Sequence, residues 1–424
     1  MESLEQILAI MKLGKVFIYT EPEIPDFTKK EKINVVLMGP NSISRIPIKD
    51  DMVYEACGFL EECVFSKGMV NIVWNIKNLF SYIRYCGKKL NSESKIYDLA
   101  VIESYLGQDN NRPASYEEAM TRIKTAAKYQ DKWSSVYNKI YLPLILNVIP
   151  SMEVTGIIDK QVRKKLHAHY ETNGKNGRLK CPVTLERGFN PHGIKAEQKD
   201  ILLPVGENKW FMCLDFRSME VVVLKWLSHD EKLTEILNSE NDFYESIFKL
   251  LTGKTCEEAK YREFCKSVFL PIVFGLSAKT LSEKFKKTEN FARHIINTLE
   301  SNFPAAFSYV KENQYSGELS DYLGRVRKFE GNSPTLRRNF VIQSPASTVC
   351  FEKLISLNAV LKNEAQIGFN VHDGYYVYVR KDKCDYVYNL AKKALETPSE
   401  ILPGLKLKIS CKVGPTLNNL HKME

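Results

Sequence analysis

The amino-acid sequence predicts an α+β protein of roughly two to four compact units, and three observations carry that expectation. The chain has 424 residues with 44% apolar content, enough to fill more than one core. Short apolar runs with strand character, KINVVLMG, VNIVWNI, KWFMCLDF and GYYVYVR, stand apart from longer segments whose apolar residues recur at three and four spacing. Residues 241–316 read as helix-rich, punctuated by Asn302, Pro304 and, just beyond, Gly317.

Taken in order, residues 1–135 mix strand-like and helix-like segments and predict a small α/β layer domain. From Lys132, KWSSVYNKIYLPLILNVIPSM predicts an apolar helix, and two NG pairs in ETNGKNG mark a loop or hairpin. KWFMCLDF predicts a central strand, with SMEVVVLKWLSHDEKLTEIL helical after it, so that Asp215 stands at a strand-to-helix turn. DYLGRVRKFEG predicts a turn between short β runs. GFNVHDGYYVYVR places Asp373 at a tight HDG turn between strands, before a helix (DYVYNLAKKALE) and a closing strand (LKLKISCKV).

The formal net charge of +9 favours a polyanionic partner, although ordinary enzymes share such a balance. Ten scattered cysteines, none in CxxC spacing, read as reduced thiols. The opening MESLEQILAIMKLGKVF lacks the order of a secretory signal, and no uncharged stretch approaches membrane-spanning length. An intracellular soluble protein with no membrane partner is the expectation.

Four side chains stand out. Asp215 and Asp373 each end an apolar run, and adjacent strands could set their oxygens close enough to hold divalent cations against phosphate. Arg262 and Lys266, four apart in KYREFCKSVFLPIVFGLSAKTL, share one helical face with Leu270 and Phe274. A cationic head on an apolar stem suits a nucleotide; a solvated basic patch over a core stripe is the plainer reading. Pro271 predicts a kink or an early end near residue 270. Glu220 could face the same cavity as Asp215 or simply serve the helix dipole, and Asp373 could be an ordinary turn aspartate.

The ordered set LDFRSMEVVVLKWLSHD, YREFCKSVFLPIVFGLSAKTL, RNFVIQSPASTVC and VHDGYYVYV resembles the motifs of family A DNA polymerases, and NGKNGRLK resembles the element that precedes the palm. The resemblance is good from about Gly177 onward. It implies a right-hand polymerase fold: an α/β exonuclease-like domain over 1–135, a reduced thumb over 136–176, a palm over 177–240 and 335–424, and fingers over 241–334.

The same resemblance implies that Asp215 and Asp373, with the backbone carbonyl of Phe216, hold two magnesium ions, manganese being an alternative. Arg262 and Lys266 would meet the triphosphate of an incoming dNTP, Glu220 would exclude a 2′-hydroxyl, and Leu270 and Phe274 would lie beside sugar and base. Arg178, Asn339 and Gln343, with Arg338 and His372 near them, would touch primer-template DNA.

The chain also departs from the family pattern. Gly374 stands where the family has glutamate, Leu270 where an aromatic is usual, and Phe274 where tyrosine is usual. VWNIKNLFSYI and KIYDLAVIESYLG align with exonuclease segments. Yet the DxE is absent from the KINVVLMGPNS strand and Leu79 replaces an aspartate, leaving Asp98, with Asp131 near the position of a further expected acid. Only KKLHAHYETNGKN occupies the place of a long thumb hairpin, which implies distributive synthesis or a partner protein that supplies grip. A single-subunit RNA polymerase relative and an inert nucleic-acid-binding subunit are the alternatives.

Overall fold

The structure, a computed structural model, describes residues 14–23, 32–49, 52–108, 111–182, 189–239, 241–312 and 314–423. Most of the opening segment read above for a signal lies outside them. The chain divides into two units: residues 1–216, 348–397 and 408–424 form the first, and 217–347 with 398–407 the second. All ten cysteines are free thiols, and no helix among the described residues is long and apolar enough to cross a membrane.

The first unit begins with a five-stranded sheet. Strands β1 (Lys15–Glu21), β2 (Ile33–Gly39), β3 (Ser42–Ile48), β4 (Val70–Val73) and β5 (Lys95–Asp98) lie in the order β3-β2-β1-β4-β5. β1 pairs antiparallel with β2 and parallel with β4, and its Val16, Phe17 and Ile18 are fully buried, as a central strand covered on both faces requires. KINVVLMG, the run that lacks the DxE, is therefore the second strand and not the central one; the central strand ends in Tyr19, Thr20 and Glu21. There Glu21 pairs with Arg45 at 3.1 Å, and the guanidinium of Arg112 lies 4.3 Å from the Tyr19 ring centre.

Asp98 is committed to structure. At the end of β5 it caps the helix Leu99–Tyr105 by accepting from the Ala100 N–H, and it also accepts from the Asn75 and Ile76 N–H groups. Burial pushes its carboxyl up to about 6, against those backbone donors, which pull it down.

Residues 130–155 are helical, with Trp133, Tyr137, Ile140, Tyr141, Leu144, Ile145, Val148 and Met152 all buried. The periodicity predicts a regular helix, but Tyr137–Tyr141 and Leu144–Val148 are wound as π-helix on either side of Leu142 and Pro143. Near the end of this run lies Glu153, a fully buried carboxylate. Its Oε1 accepts from Lys77 Nζ at 2.6 Å and the Tyr170 N–H at 2.7 Å, and its Oε2 from the Ser81 hydroxyl at 2.6 Å. Beyond it, β6 (Ile157–Asp159), β7 (Lys164–Leu166) and β8 (Leu202–Leu203) form a small antiparallel sheet. The NG-rich stretch is a loop closed by a bridge between Glu171 and Lys180.

A second five-stranded sheet completes this unit. Strands β9 (Lys209–Phe216), β12 (Ala365–Val371), β13 (Gly374–Arg380), β14 (Ile409–Gly414) and β15 (His421–Lys422) run β12-β13-β9-β14-β15, all antiparallel. β9 is central, and its register pairs Asp215 with Gly374 on one side and with Ser410 on the other. The closing strand starts at Ile409, later than LKLKISCKV predicts. A register shift between Ile367 and Phe369 leaves Gly368 against the Tyr378 ring, where any Cβ would clash.

The second unit is mostly helical, around Val268, Phe269, Ile272, Ile295, Leu299, Phe303 and Phe307. Two expectations are corrected in it. The helix after Asp215 is not continuous: Met219–Ser228 ends at His229, whose φ of 52° is left-handed, and Asp230 then caps Glu231–Asn238. Asp230 also accepts from the Ala306 N–H at 3.1 Å, a tertiary partner that no local pattern announces. Of the kink or end expected near residue 270, the end comes a little later: the helix runs from Ala259 to Val273, with Pro271 inside it, before Phe274 caps it. Strands β10 (Glu318–Ser320) and β11 (Val326–Lys328) form the predicted short hairpin.

The buried Glu153 cluster yields a stability prediction. Glu153→Gln leaves the Lys77 ammonium buried without its carboxylate, a change that costs about 3–5 kcal/mol. Urea unfolding of the variant is expected to show that loss, and the double variant with Lys77→Met to recover much of it.

Candidate active site

Asp215 occupies the last position but one of β9. Its neighbours Leu214 and Phe216 are buried and it is exposed, because successive side chains of a strand point to opposite faces. Asp373 belongs to the two-residue turn between β12 and β13, where His372 adopts a φ of 55°. Buried Asn370 fastens that turn: its Nδ2 donates to the carbonyls of His372 and Gly374, both at 3.0 Å. Its N–H donates to the buried Tyr170 hydroxyl at 3.1 Å.

The register then brings the two acids onto adjacent strand ends. A Cβ at Gly374 would lie 3.5 Å from Asp215 Oδ1 and 3.3 Å from the Val371 carbonyl oxygen. The Asp215 carboxylate thus leans over the backbone of the residue that follows Asp373. Phe216 is anchored by its ring, which meets Tyr375 edge to face at 5.8 Å. Among the described residues no group of three or more Asp, Glu, His or Cys side chains is placed to hold a metal ion.

His372 has a companion with no signal in the sequence. The His192 ring lies 5.0 Å from it, in the 3-10 turn Pro191–Gly193 that Asn190 caps. Burial holds both imidazoles below their ordinary pKa, and the nearby Arg178 charge pushes the same way. No motif spacing marks His192, since it meets His372 only through the fold. Arg178, half-buried after Gly177, belongs to the first unit together with His372, Asp373, Asp215 and Phe216.

Arg262, Lys266, Leu270 and Phe274 share one face of the helix Ala259–Val273 and its cap, as their spacing predicts. That face is partly open, whereas Cys265, Val268, Phe269, Ile272 and Val273 on the other are buried. Leu270 and Phe274 are half-buried against the core of their unit, so the plainer reading holds in part for them. Arg262 is held in a fork by Asp242, with Nε to Oδ1 at 3.0 Å and Nη2 to Oδ2 at 2.8 Å. The Tyr244 ring lies 5.5 Å beneath its guanidinium. Burial raises the Tyr244 phenol, whose hydroxyl is bonded to Ser218 and feels the charge of Glu220, half-buried in the first turn of Met219–Ser228. Asp242 has only a helix-cap signal in sequence, the Asp before FYESIFKLLT.

The helix Pro334–Leu361 carries the remaining residues. Asn339 and Gln343 are one turn apart and half-buried. The Nε of Arg338 donates to Gln314 Oε1 at 2.8 Å, and its Nη1 would lie 3.2 Å from a Cβ built on Gly275. Arg337 is buried and donates to the carbonyls of Ser316, Gly331 and Ser333, an anchor for the loop before the helix.

Residues 148–419 match the sequence profile of DNA polymerase family A. The chain belongs to that family. Among similar curated proteins, DNA polymerase theta of Caenorhabditis elegans is 21% identical over 267 residues, covering 59% of this chain and 16% of that protein. DNA polymerase I of Chloroflexus aurantiacus is 23% identical over 238 residues (52% and 25%), and that of Helicobacter pylori 25% over 310 residues (67% and 33%). The chain therefore spans a third or less of these relatives' length. Its fold is that of a solved structure, the POL domain of Pol1 from M. smegmatis in complex with DNA primer-template and dNTP. The TM-score is 0.74 at 14% identity, with 99% of both chains covered.

Proposed function

We propose that this chain is a template-directed DNA polymerase that adds deoxynucleotides to a primer 3′-hydroxyl. The observation that carries the reading is the pair of acids: Asp215 stands against Gly374 on the neighbouring strand, directly after Asp373, in a chain of this family. Two carboxylates and the Phe216 carbonyl are hard oxygen donors, which fit two divalent cations, magnesium or manganese. When bound, such ions lower the pKa of the attacking hydroxyl and neutralise charge on the leaving pyrophosphate.

The chain's own residues then bind and orient. Arg262 and Lys266 hold the triphosphate, and Glu220 occupies the space that a 2′-hydroxyl would need. Leu270 and Phe274 flank the sugar and base. Arg178, Asn339 and Gln343 feel the minor-groove acceptors common to all correct pairs, with His372 and Arg338 as lesser contacts. Residues 177–240 and 335–424 serve as palm, 241–334 as fingers, and 136–176 as a reduced thumb.

The 1–135 domain contributes no proofreading on this reading. Leu79 is buried, Asp98 is engaged in capping backbone N–H groups, and the central strand offers Glu21 with Tyr19, not an acid, two residues before it. Asp131 stands exposed in the first turn of the helix Gln130–Val136. With Leu79 apolar and Asp98 tied to backbone N–H groups, two of the expected metal-binding positions offer no open carboxylate.

Two measurements on the acids and the sugar test the proposal. Asp373→Asn is expected to abolish primer extension, and Glu220→Ala to raise ribonucleotide incorporation relative to deoxyribonucleotide. Undiminished extension by Asp373→Asn removes the site, and equal use of both sugars by the unaltered chain favours an RNA polymerase. Separately, extension in the presence of a DNA trap is expected to yield short products, because so small a thumb gives little grip without a partner protein. Long products in a single encounter exclude distributive synthesis.

A further inference from the structure

Arg262 does not stand open to solvent as an isolated cation would: a carboxylate takes its side edge. The pair is 34% exposed on both sides, so it is neither a buried core pair nor a freely solvated one.

Asp242 is itself fixed. As the cap of the ten-residue helix Phe243–Thr252, its Oδ1 accepts from the N–H groups of Tyr244 at 3.0 Å and Glu245 at 3.2 Å. The same carboxylate receives Nε and Nη2 of Arg262. The Tyr244 ring closes the guanidinium's lower face, and its hydroxyl is tied to Ser218. A rigid helix start therefore sets both the edge and the plane of Arg262.

A guanidinium carries five N–H groups. Among the described residues the fork uses two and Glu263 a third, on Nη1 at 3.2 Å, which leaves one each on Nη1 and Nη2 for an anion. Presenting those two without further loss of rotamer freedom is what a pre-organised phosphate ligand requires.

We infer that Asp242 is a positioning residue of the nucleotide site, which holds Arg262 side-on so that its remaining N–H groups meet the triphosphate. This rests on the reading of Arg262 as a triphosphate ligand. The opposite role, an internal anion that competes with the nucleotide for Arg262, predicts the opposite sign on removal of the charge.

Asp242→Asn separates the two, because asparagine keeps the cap but turns one fork acceptor into a donor. Binding of magnesium deoxyadenosine triphosphate to the full chain is measured by titration, beside single-turnover incorporation on a primer-template. Asp242→Asn is expected to weaken binding about tenfold, the worth of one charge-assisted contact, with the maximal incorporation rate little changed. In an Arg262→Lys background, where no fork exists, the same substitution is expected to change little. Asp242→Ser, which also caps, is the second variant should asparagine disturb folding.

Unchanged or tighter binding in Asp242→Asn overturns the inference, as does an equal loss in the Arg262→Lys background. If the unaltered chain extends no primer while the binding contrast holds, the polymerase reading fails alone. If it extends primers and the contrast is absent, only the role of Asp242 fails.

Discussion

The antiparallel register of β9 is the constraint on which the candidate site depends. β9 is paired on both sides, by β13 and β14, so slipping it by one residue would break two ladders and send every side chain to the opposite face. The register puts Asp215 opposite Gly374, and the two-residue turn puts Asp373 directly before Gly374. Neither acid has to find the other through a flexible loop. Asn370 adds a second lock, since its side-chain amide engages the two carbonyls that flank Asp373. The placement of the pair is thus a property of backbone hydrogen bonds, which a sheet supplies in number.

The same logic explains which features are legible in the sequence. The strands β9, β12 and β13 and the HDG turn can be read because apolar runs and a turn triplet are local signals. So can the shared face of Arg262 and Lys266, since four-residue spacing alone fixes it. The break at His229 is harder: Asp230 is a fair cap residue, but it sits among helix formers, and the Ala306 N–H that also holds it lies far along the chain. His192 beside His372 and Asp242 beside Arg262 are hidden for a like reason, because each meets its partner only in the folded chain. The π-wound stretches around Leu142 and Pro143 keep an apolar pattern close to that of an α-helix, so periodicity alone does not expose them.

Pro271 shows how a sound rule can misplace a boundary. A proline inside a helix removes one hydrogen bond and crowds the preceding turn, which predicts a kink or an end near residue 270. The helix continues to Val273, and Val268, Phe269, Ile272 and Val273 are all buried in the core of their unit. Burying a side chain of that size is worth roughly 1.5–3 kcal/mol, comparable to the cost of the proline.

Gly374 is the most informative departure from the family pattern, and its surroundings say what kind of departure it is. Its φ lies outside the left-handed region, and a Cβ there would meet its nearest neighbours at 3.3 and 3.5 Å, tight but not prohibitive. Conformation therefore does not demand glycine. What a larger acid would bring is charge: a third carboxylate close to Asp215 and Asp373, each making the others harder to ionise. With cations bound that repulsion is offset; without them it works against the folded sheet. A glycine relieves the strand ends of that repulsion, and on the proposed reading it would leave cation binding to Asp215, Asp373 and backbone oxygen. On the proposed reading the consequence is a weaker hold on the ions, so primer extension is expected to need a higher divalent cation concentration than a third acid at this position would require.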